Sequence, residues 1–229
     1  MKTKYIILTA CASLLGVAQA NAQGQNLPIL TANTDACAAA MGNTSVAAEG
    51  MLLYNNPTTI FSLDKRFTAD ASASLYEKAE GANGTFGLYA ATIGYRFAKR
   101  HAAFAGFRYA GGLKFKGYDM SGEPTKDYQP YDWTIDLGYT YMIGNGFAAY
   151  TTGSIIFSHL SKNATGGAVT IGASYQNHEM TLAHRQASLM IDAKAGSIGP
   201  RLDFGNRNKT SLPTYFGVGG ILSVDVADK

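Results

Sequence analysis

Between residues 131 and 143 the chain reads YDWTIDLGYTYMI, and its side chains change character at every step. Tyr131, Trp133, Ile135, Leu137, Tyr139, Tyr141 and Ile143 are all apolar or aromatic. Asp132, Thr134, Asp136, Gly138 and Thr140 are polar or small, with Met142 the one exception. A period of two predicts a β-strand with one apolar face and one wet face. The run is far longer than the mean soluble strand of about 5–6 residues. Aromatics also stand at both ends of its apolar face. A tilted strand needs roughly 9–11 residues to cross a bilayer, with aromatic girdles at the two interfaces.

The same alternation recurs along the chain. It marks strands at 67–76, in the run that reaches Phe97, and at 103–115, 147–160, 167–175, 187–195 and 214–224. With 131–143 this makes about eight strands joined as successive hairpins, an all-β, antiparallel, up-and-down transmembrane β-barrel pattern. Lys99-Arg100-His101, Gly144-Asn145-Gly146 and residues 162–166 read as turns, and residues 176–185 carry His178 and His184 between two strands. Residues 117–130 are polar, hold two prolines and do not alternate, which predicts a long external loop. On the polar faces Arg108, Lys114, Asp136 and Asp192 are expected to look into the lumen, with Lys116 beside Lys114.

Composition strengthens this picture. Only 15% of the 229 residues are charged, against about 25% in an ordinary soluble domain. Gly, Tyr and Phe are abundant, yet no segment after the leader offers the roughly 20 apolar residues of a spanning helix. Lys2 and Lys4, the apolar run 5–17 and Ala20-Asn21-Ala22 read as a signal peptide over 1–22. Without the leader's lysines the chain is close to neutral, which leaves no electrostatic footprint for nucleic acid. Cleavage also removes Cys11, so Cys37 has no intrachain disulfide partner.

Residues 23–65 do not alternate. They are small and Ala-rich, with Asp35 placed to cap a short helix starting near Ala36. This segment suits a lumen plug or a periplasmic cap, and equally a loosely held N-terminal arm. Residues 66–229 hold the strand array.

Little in the chain suggests catalysis. No glycine-rich phosphate loop, metal-spaced His/Cys set or nucleophile elbow is present, so no catalytic, cofactor or metal residue is assigned. Ser158 beside His159 is the only local hint of a hydrolase, and triads are recognised by geometry rather than by adjacency. The charges on the polar faces are expected mainly to satisfy one another.

Three stretches together resemble the PorV/PorQ family. Within 34–60, Asp35-Ala36, Met41-Gly42 and Asn56-Pro57 match its N-terminal signature, although Cys37 stands where arginine is usual and Thr58 where alanine often follows. The 131–143 strand resembles a strand in the middle of the family's sequences. SIGPRLDFGNRNKTSLPTYFGVGG, with Gly199, Pro200 and Pro213, resembles the family's later turn, polar loop and strand start. The resemblance implies an outer-membrane barrel related to the FadL-type transporters, in Bacteroidota-like bacteria. It implies a non-enzymatic, accessory role in type IX secretion. The partners would be outer-membrane lipid, the secretion translocon and cargo proteins with C-terminal sorting domains. The alternative is a FadL-like channel for a hydrophobic ligand. Family barrels have about fourteen strands and this chain shows about eight, so it is read as a C-terminally truncated relative.

Overall fold

The computed structural model describes residues 27–31, 33–35, 52–76, 82–159, 162–182, 185–204 and 209–224. The leader, Cys37, Met41 and Gly42 fall outside them, as does the helix expected after Asp35. Two short helical turns precede the strands: α1 (Pro28–Thr31) and a 3-10 turn (Pro57–Phe61). Asn56 caps the second, its side chain accepting from the Thr58 amide, and Pro57 takes the first position, where a missing N–H costs nothing.

The strands are β1 (Phe67–Leu75), β2 (Ala82–Asn83), β3 (Gly87–Ala98), β4 (His101–Gly111), β5 (Lys114–Tyr118), β6 (Pro124–Tyr128) and β7 (Tyr131–Gly144). They continue as β8 (Phe147–His159), β9 (Asn163–Leu182), β10 (Arg185–Ile198), β11 (Leu202–Asp203), β12 (Lys209–Thr210) and β13 (Tyr215–Val224). Eight of them form one antiparallel sheet in the order β1-β3-β4-β7-β8-β9-β10-β13. This is the expected meander of eight strands. The sheet is open: among the described residues β1 and β13 are its edges and do not pair with each other.

Its polarity is reversed relative to a water-soluble sheet. Asp132, Thr134, Asp136 and Thr140 of β7 are buried, whereas Leu137 on the other face is 61% exposed. The polar face therefore lies inward and the apolar face outward. The face expected to be wet is the packed one.

Connections at the two ends differ. At one end, Asn145-Gly146 links β7 to β8 with φ of 50° and 82°, the backbone that a two-residue Asn-Gly turn requires. Lys99-Arg100 links β3 to β4 equally tightly. Long connections gather at the opposite end, where residues 117–130 form a β5/β6 hairpin with β2 alongside rather than an irregular loop. The expected strand 103–115 stops at Gly111, because Gly112 turns the chain at φ +114°. Two further boundaries move. The turn expected at 162–166 is already strand from Asn163, and 167–175 is part of the single 20-residue strand β9.

The segment before β1 lies on the inward face. The Leu53 amide donates to Thr92 Oγ1 of β3 at 3.3 Å, and Lys194 Nζ of β10 donates to the Asn55 carbonyl at 3.1 Å. In a flat sheet those strands, five positions apart, would stand roughly 24 Å from one another at about 4.8 Å per step. Two residues of chain reach only about 7 Å. The sheet is therefore curled around this segment.

Apolar clusters close the inward face towards both ends. Leu53 and Ile60 pack on Ala102 and Phe104 towards the short-turn end. Leu27 packs with Ile156, Leu202, Phe204 and Leu212, and Ile29 with Leu88 and Ala110, towards the long-connection end. Thus the stretch 199–213, polar in composition, is anchored by three buried side chains.

Phe104 lies over Gly138, its partner in the β4–β7 register, and a Cβ there would sit 1.8 Å from the ring. Gly138→Ala is expected to cost about 1–3 kcal/mol by overpacking. Denaturant unfolding should show that loss, and Phe104→Leu in the same chain should recover much of it.

Candidate functional site

Between the two apolar ends the inward face carries a polar belt. Arg108 of β4 and Asp136 of β7 lie two residues apart in register, and alternation puts both on the same face. Arg108 Nη2 donates to Asp136 Oδ1 at 2.7 Å and Nε to Oδ2 at 2.8 Å, a bidentate pair. The pair is deeply buried, with side-chain exposures of 11% and 0%. Thr134 Oγ1 and Ser154 Oγ also donate to the Asp136 carboxylate.

The guanidinium has a second task. Its Nη1 donates to the Ile29 carbonyl at 3.2 Å, and its carbon lies 4.7 Å from the centre of the Tyr54 ring. One cation therefore holds both parts of the N-terminal segment against the sheet. Thr34 and Tyr54 share a hydrogen bond through their hydroxyls. Burial pushes the Tyr54 phenol up to about 12, so it stays neutral at any physiological pH.

Asp192 of β10 is also fully buried, and the Tyr150 hydroxyl of β8 donates to its Oδ1 at 3.2 Å. Lys194 shares that face and reaches the Asn55 carbonyl. Nearby, Ser174 Oγ of β9 donates to Thr58 Oγ1 at 2.7 Å. Near the long-connection end, the buried Asp132 and Ser158 face one another across the β7–β8 register.

Of the four charges expected inside, Arg108, Asp136 and Asp192 are there. Lys114 is not: it lies exposed on β5, in the separate three-stranded sheet beyond the Gly112 turn, with Lys116 equally exposed on that strand. The motif residues are scattered. Asp35 accepts from the Leu52 amide at 2.7 Å and from Asn55 Nδ2 at 2.9 Å, tying the two ends of the undescribed stretch 36–51. Gly199 lies against the Gly167 carbonyl, Pro200 is exposed and Pro213 is buried. The sequence alone assigns no role to Tyr54, Tyr150, Lys194 or Ser174, and marks Thr58 only as a departure from the motif. Alternation places Tyr150, Lys194 and Ser174 on the inward face, but nothing local in Tyr54 or Thr58 marks a partner across the chain.

The hint of a hydrolase does not form a dyad. Ser158 is buried on the inward face, while His159 lies on the outward face, stacked on Tyr131 and bonded to Asn163. Adjacent strand residues point to opposite faces.

No protein-family model matches the chain, and no curated protein matches it significantly. The geometry must speak for itself. The belt binds the chain's own N-terminal segment, and each buried charge with a described contact spends it on that task or on its neighbour.

Arg108→Met should therefore destabilise the fold by about 3–5 kcal/mol, because it strands the Asp136 carboxylate. Asp136→Leu added to it should return most of that loss in denaturant unfolding. A double mutant as unstable as the single would show that Arg108 acts chiefly through Ile29 and Tyr54.

Proposed function

We propose that this chain is a non-enzymatic outer-membrane β-barrel protein of PorV/PorQ type, accessory to type IX secretion and to surface attachment of its cargo. One observation carries the membrane part: the sheet buries its polar face and exposes its apolar one. In water such an exposed face would be a large aggregation liability. In lipid it is the required arrangement. Among the described residues no helix is long and apolar enough to span a membrane.

The outward aromatics support the same reading. Tyr89, Tyr109, Tyr131, Trp133 and Phe157 form one band of neighbouring rings, with Trp133 and Phe157 stacked at 3.9 Å. Phe97, His101, Tyr139 and Tyr141 form a second towards the short turns. Ile135 and Leu137 lie between them on β7. From Trp133 to Tyr139 the strand rises about 20 Å, which fits an apolar band flanked by interfacial girdles.

In this reading the cylinder contains more strands than these eight. An eight-stranded barrel has an interior just wide enough for its own side chains. Residues 52–61 on the inward face would be a lumen plug in this reading, and eight strands would leave no room for it. Unpaired edges cannot face hydrocarbon, so β1 and β13 would each pair with a further strand.

The secretion role rests on the three motif stretches and their order. A FadL-like channel for hydrophobic compounds is the second reading, favoured by the apolar clusters that the inward face builds around Leu27, Ile29 and Leu53. A deletion strain separates them. Cargo with a C-terminal sorting domain left unattached supports the first, whereas intact attachment with lost uptake of hydrophobic compounds supports the second.

The membrane reading has its own check. Leu137→Arg places a cation at mid-strand on the outward face and should cost about 2–4 kcal/mol in a bilayer. On a water-exposed surface the same change would stay within about 0.5 kcal/mol. Recovery of the protein from carbonate-washed membranes should fall sharply for the variant, and equal recovery would argue against lipid contact.

A further inference from the structure

The short-turn end carries a basic rim that neither the polar belt nor the secretion reading uses. Lys65 and Arg66 enter β1, and Lys99 and Arg100 form the β3–β4 turn; all four are exposed. Arg96 gathers the first pair. Its Nη1 and Nη2 donate to the Phe61 and Asp64 carbonyls at 3.5 and 3.3 Å, and its amide donates to the Arg66 carbonyl at 2.7 Å. Arg66 thus stands opposite Arg96 across the β1–β3 register, a few residues from Lys99. Among the described residues none of the four exposed cations is in an ion pair, and Asp64 is the only acid in these two turns.

The rim is not an ordinary solvated charge mixture. On the long-connection side Lys114, Lys116 and Lys126 are interleaved with Asp119, Glu123 and Asp127 on one hairpin. The Asp119 carboxylate is committed there to the Ser121 and Glu123 amides. In the two turns at the short-turn end, four exposed cations stand beside Asp64 alone.

Directly beside them the surface changes character. Phe67 pairs with Tyr95 in the β1–β3 register, and Phe67, Tyr95 and Phe97 are 59%, 50% and 51% exposed on the outward face. Each strand therefore passes from exposed aromatic to exposed cation within one or two residues. A ligand that fits both has an apolar body and an anionic head.

We infer that Lys65, Arg66, Lys99 and Arg100 bind the phosphate headgroup of an anionic phospholipid in the leaflet on the short-turn side, with Phe67, Tyr95 and Phe97 against its acyl chains. The inference rests on the membrane reading above. Charge complementarity favours lipid over an acidic protein, because the aromatics beside the cations match acyl chains at the same depth. Each Lys or Arg near an anionic membrane surface strengthens attraction by about fivefold.

Native mass spectrometry of the full chain, purified from membranes and exchanged into micelles doped with phosphatidylglycerol or phosphatidylcholine, tests this. Phosphatidylglycerol adducts should clearly exceed phosphatidylcholine adducts. They should fall at least fivefold when Lys65, Arg66, Lys99 and Arg100 are all changed to Ser, and stay unchanged when Lys114, Lys116 and Lys126 are. Millimolar inorganic phosphate should not displace the lipid, since the ring contacts hold its chains. Displacement by phosphate, equal adducts with both lipids, or full retention by the quadruple variant would each overturn the inference. Heat-modifiable migration on cold gels serves as the folding control. A chain that never inserts rejects the membrane reading itself, whereas an inserted chain without headgroup preference rejects only this site.

Discussion

A buried carboxylate beside a buried guanidinium governs how the rest of this molecule can be arranged. Asp136 is inaccessible to water, and four donors from Arg108, Thr134 and Ser154 surround it. A charge in that position is tolerable only when paired and fully hydrogen-bonded. The sheet supplies those partners from three adjacent strands. What it cannot supply is a cover, and the N-terminal segment provides one, drawn in by Arg108 at Ile29 and Tyr54 and by Lys194 at Asn55. The segment and the inward face are thus mutually dependent. Each would expose unsatisfied polar groups without the other.

Curvature follows from the same contacts. A chain that bonds Thr92 of β3 and Lys194 of β10 within three residues forces the intervening strands into an arc. Once the polar face is turned inward and occupied, the apolar residues have nowhere to go but out. That exposure connects packing to function in the proposed reading. In that reading the outer rings and aliphatics form bands because a bilayer has interfaces of its own.

Much of this was legible residue by residue. Alternation located the eight main strands, their order and the hairpin turn at Asn145-Gly146, because period two and turn chemistry are local properties. It also put Arg108 and Asp136 on one face, and they meet. Lys114 failed for a local reason of another kind: Gly112 adopts a left-handed backbone, and beyond it the parity of the strand no longer continues. Strand β9 was missed in part because from Gln176 to Leu182 only Met180 and Leu182 are apolar, too few to mark an alternation. The stretch 199–213 looked like open loop, since its buried anchors Leu202, Phe204 and Leu212 are three residues among many polar ones.

The sequence by itself determined the strands, their antiparallel meander and which side chains share a face, since these depend on backbone geometry and nearest neighbours. It also pointed the polar face towards a lumen, but left open where residues 23–65 belong and what fills that face. Tertiary structure placed the described part of that segment on the polar face and turned that face inward. The physical reason is that inside and outside are not properties of a strand. Alternation separates two faces without ranking them. Only contacts between residues far apart in the chain, Ile29 with Arg108 and Asn55 with Lys194, decide what packs against the inward face.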